Sequence, residues 1–179
     1  KKDNAIKGRG VNLNPYNRFE SNTKSFEYID ELSPVSKTQI IKDSSKSILS
    51  YNKSPDIPYN VGLNPYRGCE HGCSYCYARP FHEFLGYSSG LDFETKIVIK
   101  ENSEKLLAKE LSAKKWTSQL ISLSGITDPY QPLEKELKIT QKCLKVLADF
   151  RNPVAIITKN KLVTRDIEIL KNLAEYNAI

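Results

Sequence analysis

Three short apolar runs, "TKIVIK" at 95–100, "QLISLSG" at 119–125 and "PVAIITK" at 153–159, recur with helix-patterned sequence between them. No other feature limits the fold as much. Strands separated by helices return as parallel neighbours through right-handed βαβ units, so the class is α/β. The last run is nearly all apolar, the mark of a parallel strand covered on both faces. Between the strands, "SEKLLAKELSAKK" begins on Ser103 as an N-cap and carries a leucine stripe. A long helix is predicted from about Pro132, with Leu137, Leu144 and Leu147 on one face. A further helix is predicted over "TRDIEILKNLAEY". Upstream, "YNVGLNPY" holds a short strand, and residues 77–92 read as a short helix ending near Gly86, then a loop. In parallel folds, functional residues collect at the carboxyl ends of the strands. That rim would gather residues 69–76, Ser124 to Asp128 and Lys159.

Residues 1–60 have a different texture. They are polar, rich in Asn, Ser and Lys, and interrupted by Pro15, Pro34, Pro55 and Pro58. This predicts an extended arm with short ordered pieces over 1–60 and the α/β domain over 61–179. "LNPYNRFE" at 13–20 is echoed by "LNPYRGCE" at 63–70. Asn-Pro marks a turn in each. Arg18, Phe19 and Glu20 are more specific than a linker needs, so this segment is expected to dock on the main domain.

"CEHGCSYCYARP" at 69–80 packs three cysteines into the spacing C-x3-C-x2-C. Structural zinc prefers four ligands, usually as two separated pairs. The fourth here would have to be His71, His82 or Cys143. Cys143 falls within the predicted long helix, beside Ile139 and Val146, and reads as a buried structural thiol. A cubane [4Fe-4S] cluster is also thiolate-bound. Held by three cysteines, it keeps one iron open for a substrate or cofactor. Gly68 and Gly72 would relieve the backbone near such a cluster. Four cysteines in 179 residues are too few for a disulfide scaffold, and their spacing suits a reducing compartment, so a cytoplasmic location is expected. No apolar run approaches the ~18 residues of a membrane span, and the basic N-terminus has no apolar stretch after it, so neither a membrane segment nor a secretory signal is expected. The net charge of +6 is spread without a dense run. It reads as a solvated surface, with nucleic acid as the alternative partner.

The cysteine spacing, following a strand and with an aromatic before the last cysteine, resembles the radical S-adenosylmethionine (radical SAM) superfamily. The stretches "SPDIPYNVGLNPYRGCEHGCSYCYARPFHEFLG", "GLDFETKI" and "SGITDPYQPLE", with the "GRG…NPYNRFE" start, resemble its branch of DNA repair photolyase-labelled proteins related to spore photoproduct lyase. The resemblance implies a partial (β/α) barrel and a [4Fe-4S] cluster bound by Cys69, Cys73 and Cys76. It implies reductive cleavage of S-adenosylmethionine to a 5′-deoxyadenosyl radical, with electrons from a flavodoxin or ferredoxin. Carried over by position, Tyr75 would pack by the adenine, and Ser124 and Gly125 would meet the methionine amino group. Thr127 would touch the cofactor, and Lys159 would meet the methionine carboxylate. Taken alone, Lys159 would read as an exposed lysine at a strand end. Gly125 stands about where the lyase has its cysteine hydrogen donor. The chain ends at Ile179 after about half the strands of a barrel, so a C-terminally truncated barrel is expected. The alternative reading is a non-catalytic zinc or iron-sulfur module that binds nucleic acid.

Overall fold

The computed structural model describes residue 6 and residues 8–19, 37–123 and 125–176. Its strands are β1 (Gln39–Lys42), β2 (Leu49–Tyr51), β3 (Val61–Leu63), β4 (Tyr66–Arg67), β5 (Lys96–Ile99), β6 (Ile121–Leu123) and β7 (Val154–Ile156). Its α-helices are α1 (Leu91–Thr95), α2 (Ser103–Leu111), α3 (Glu134–Leu137), α4 (Ile139–Asp149) and α5 (Ile167–Glu175). Two 3-10 segments, Arg79–Leu85 and Lys161–Asp166, complete the order.

The α/β class holds, but the strands form two sheets, and no closed barrel exists among the described residues. One sheet has the order β2-β3-β6-β7, with β3, β6 and β7 mutually parallel and β2 antiparallel. The other has the order β1-β5-β4, with β1 parallel and β4 antiparallel to β5. The strand read from "TKIVIK" therefore does not lie between its sequence neighbours. After β3 the chain turns at Asn64-Pro65 into β4, which captures β5 edge to edge, and α2 then returns the chain to β6 beside β3. Part of residues 1–60 is ordered into these sheets: β1 and β2 each fill an edge, and Ile48 and Leu49 are buried in the main core.

That core is aliphatic. Leu63, Leu107, Ile121, Leu123, Leu144 and Leu147 are all fully buried between the four-stranded sheet and α2, α4 and α5. Each such side chain contributes about 1.5–3 kcal/mol relative to leaving it in water. Cys143 is 0% exposed within this core. β7 is the outer strand of its sheet, and Ala155 and Ile156 are only partly buried, so the apolar run at 153–159 is less covered than its composition predicts.

The long helix predicted from Pro132 is broken. Lys138 takes a left-handed φ of 54° and separates α3 from α4. The Glu134 carboxylate then accepts from the amides of Thr140 (3.0 Å) and Gln141 (3.2 Å), capping the new helix from outside. Residues 77–92 also differ in part. The predicted helix is a 3-10 segment that stops at Gly86 with φ 77°, but α1 follows where a loop was expected.

Candidate cofactor site on the cysteine loop

The loop begins where β4 ends. Gly68 has φ 81°, and a side chain there would strike Phe93 O at 2.9 Å, so only glycine makes the turn. Cys69 N donates to Phe93 O (2.9 Å) and Cys76 N to Cys73 O (3.2 Å). Gly72, at φ 66°, sets the bend before Cys73. The chain then passes directly into the 3-10 segment, so Cys73 and Cys76 sit on a rigid exit.

Much of the loop's backbone is held by side chains from elsewhere. Thr127 Oγ1 donates to Gly68 O (2.7 Å), and Gln131 Nε2 donates to the same carbonyl (3.3 Å). Gln131 Oε1 accepts from Glu70 N (3.1 Å). Arg79 Nε donates to Cys73 O (2.9 Å), and its guanidinium pairs with the fully buried Glu94. Behind Thr127 and Gln131 lies buried Glu134, which accepts from the Tyr66 hydroxyl and pairs with Arg165 (2.7 Å).

All three loop cysteines are free thiols. Cys69 is 6% exposed, and burial pushes its thiol up to about 12, against the amides of His71 and Asp128, which favour the thiolate. A buried thiol aimed at amide donors but lacking a cation ionises once a metal supplies the positive charge. Cys73 and Cys76 are half-buried and open to the rim. Among the described residues, no three His, Cys, Asp or Glu side chains converge on one metal ion. Among the described residues, none of the fourth-ligand candidates forms a metal-binding group with the three thiols. Cys143 is sealed in the core, and His82 lies between the rings of Tyr87 (5.3 Å) and Phe93 (5.5 Å). His71 Nε2 lies 3.3 Å from Asp128 Oδ2. Three thiols on one loop therefore fit a cluster with an open iron better than a four-ligand zinc site.

The loops after β4, β6 and β7 meet. Asp128 joins them: it accepts from Thr158 Oγ1 (2.7 Å), Lys159 N (3.1 Å) and Tyr130 N (2.8 Å). Burial alone would raise its pKa; these bonds and His71 outweigh that and hold the carboxyl below the usual carboxylate range. Lys159 Nζ contacts Cys73 Sγ and lies 5.5 Å over the Tyr75 ring. The Cys73 sulfur raises the lysine above its ordinary value. Tyr75 itself is 84% exposed. Gly125 sits beside Asn64, and its carbonyl accepts from Tyr77 Oη (2.6 Å). Thr127 is buried with its hydroxyl turned to the loop backbone. Ser124 lies outside the described residues.

Residues that the sequence reading did not single out carry much of this architecture. Arg79, Glu94 and Gln131 bind backbone atoms, and such partners leave no spacing signature. The one legible hint is an acid in "GLDFETKI" just before an apolar strand.

A family model described as "Radical SAM superfamily" matches residues 63–179. The chain belongs to this superfamily, whose members typically use a [4Fe-4S] cluster and S-adenosylmethionine. An uncharacterized protein of Mycobacterium tuberculosis is 37% identical over 127 residues, covering 69% of this chain and 37% of its own length. An uncharacterized protein of Methanocaldococcus jannaschii is 34% identical over 140 residues, covering 78% of this chain and 49% of its own. The chain thus spans half or less of the length of these relatives. No solved structure matches. None of the described helices is long and apolar enough to cross a membrane.

Proposed function

We propose that this chain is the cofactor-binding portion of a radical SAM enzyme, in which Cys69, Cys73 and Cys76 hold a [4Fe-4S] cluster. The observation that carries this reading is the donor set: three free thiols on one braced loop, with Cys143 sealed away in the core. When bound, the cluster and S-adenosylmethionine supply reductive cleavage to methionine and a 5′-deoxyadenosyl radical.

The protein's own residues position and shield. Lys159 presents an ammonium at the cysteine rim, where it would pair with the cofactor's carboxylate. Tyr75 offers an exposed ring beside it as a platform for the adenine. Gly125, flanked by Asn64 and Tyr77, would leave room for the amino end, together with Ser124. Thr127 serves indirectly, fixing Gly68 and so the direction of Cys69.

The resemblance to the spore photoproduct lyase branch favours nucleic acid as the substrate class and a flavodoxin or ferredoxin as electron donor in the cytoplasm. Gly125 stands about where the lyase has its cysteine donor, so a hydrogen returned to product would have to come from another group. The competing reading is a non-catalytic zinc or iron-sulfur module on nucleic acid; its zinc form would need a fourth ligand, and among the described residues none joins the three thiols.

Anaerobic reconstitution tests this. Iron and sulfide should reach about four each per chain, with broad visible absorption. Cys69→Ala, Cys73→Ala or Cys76→Ala should abolish the colour, and Cys143→Ala should keep it. One zinc per chain, or bleaching by Cys143→Ala equal to that of Cys73→Ala, would overturn the assignment.

A further inference from the structure

The segment from Arg9 to Phe19 lies across the cysteine loop and the helices that follow it. Gly10 is pressed against Gly72, the residue before Cys73. A side chain at Gly10 would come within 1.6 Å of Gly72 O, and one at Gly72 would meet Gly10 N at 3.0 Å. Backbone meets backbone here, and only two glycines permit it.

The contact is tied to the ligand loop through one buried acid. Glu94 Oε2 accepts from Gly10 N (2.9 Å), and Oε1 accepts from Arg79 Nη2 (2.5 Å). Arg79 in turn donates to Cys73 O (2.9 Å). Arg9 closes the bracket on the other side: its guanidinium donates to Glu94 O (2.7 Å) and to Thr38 Oγ1 (3.1 Å), and Thr38 donates to Glu70, next to Cys69. Glu94 is 0% exposed. A buried carboxylate with a guanidinium and a backbone amide is fully paired; losing one partner leaves it exposed to the whole desolvation cost.

Further along, the segment is anchored independently of the loop. Asn14 exchanges hydrogen bonds with Asp92 (2.8 and 2.9 Å), and Leu91 N donates to Leu13 O (3.0 Å). Asn17 Nδ2 donates to Glu83 O (3.1 Å), and Arg18 pairs with Glu83 (2.7 Å).

We infer that Arg9 to Phe19 is a clasp on the cysteine loop, with Gly10 and Glu94 as positioning residues that keep the three thiols arranged and slow the loss of whatever they bind. Neither touches the cysteine sulfurs. The part of the proposal that concerns retention rests on the cluster reading; the part that concerns loop order does not.

The test uses Gly10→Ala in the full-length protein, with two readouts. In cluster-free protein, amide hydrogen exchange at Cys69, Glu70 and Cys76 should accelerate by about tenfold or more, because the loop opens locally while the core stays closed. In reconstituted protein, iron release to a chelator should accelerate to a similar extent, with the thermal unfolding midpoint of the core unchanged. Arg9→Gln, which opens the bracket without a clash, should shift both in the same direction by less, and serves if Gly10→Ala does not fold. Wild-type exchange rates in the loop of either variant would overturn the clasp. Failure of the wild-type protein to take up iron would overturn the cluster reading alone, since the exchange measurement would still decide the clasp.

Discussion

The four-stranded sheet and the cysteine loop are neighbours built from opposite materials. Around the sheet, Leu63, Ile121, Leu123 and Leu144 bury aliphatic surface in one large cluster. Around the loop, the apolar contacts are few: Cys69, Ala78 and Phe93 with partly buried Cys76. Its shape comes instead from Thr127, Gln131, Arg79 and Glu94, each spent on backbone carbonyls or amides, and from glycines at 10, 68 and 72. An aliphatic core tolerates many solutions of similar volume. A bracket of directed hydrogen bonds has one geometry, and that would suit a loop whose three sulfurs share one cluster. Damage to the core should therefore unfold everything, and damage to the bracket should disarm the loop within an intact fold.

The largest effect should come from the core. Leu144→Ala removes a fully buried side chain and should cost about 2–5 kcal/mol, the transfer loss plus the cavity it leaves. Urea denaturation followed by far-UV circular dichroism would measure it. Loop amides should lose protection only in step with the core. A variant that unfolds by less than 1 kcal/mol yet frees the loop would break the comparison, because it would make the core subordinate to the site.

This contrast also explains what was legible in the sequence. β3, β5, β6 and β7 announce themselves because apolar composition is how a strand is written, and the cysteines because three fall so close together. The two-sheet arrangement was not legible. It depends on β4, two residues long, pairing Tyr66 with Ile99 and Arg67 with Val98. Nothing in "YR" predicts that. The break at Lys138 escaped because its compensation is a side-chain bond across the break, the Glu134 carboxylate on Thr140 N, which helical periodicity does not signal. Glu94 and Arg79 look like surface charges in sequence, and only the fold reveals them as one buried pair.

A smaller effect should come with pH, at the boundary between the regions. His82 is 2% exposed and packed behind Gly68. Burial pushes it down to about 4 from 6.5, against the attraction of Asp92. The folded state thus resists a proton that the unfolded chain accepts. The stabilisation is present in full above about 6.5 and is lost as pH falls toward about 4, with a slope of up to ~1.4 kcal/mol per pH unit. Over that window the loss amounts to about 3 kcal/mol. His82→Leu should flatten this slope while leaving stability at neutral pH close to wild type. Equal slopes in the two proteins would place the acid sensitivity elsewhere and remove His82 from the boundary.

The smallest effect on folding should come from Lys159, and it sharpens the comparison most. The side chain is exposed in the loop after β7, where among the described residues it meets Cys73 and the face of Tyr75. Its backbone amide, bonded to Asp128, survives substitution. Lys159→Ala should therefore leave the unfolding midpoint unchanged. Iron uptake should also be normal, because the bracket through Arg79 and Glu94 is untouched. A charge-assisted contact to a carboxylate is worth about 1.5–3 kcal/mol, so S-adenosylmethionine should bind roughly ten- to hundredfold more weakly. Lys159→Arg should restore only part of this, since a planar fork replaces a point charge. Titration of the reconstituted protein with the cofactor, followed through the cluster's EPR signal, separates binding from assembly. Unchanged affinity in Lys159→Ala would return this residue to a solvated strand end. Lost iron in the same variant would instead make it part of the bracket, and the line between the ligand loop and its charged rim would have to be redrawn.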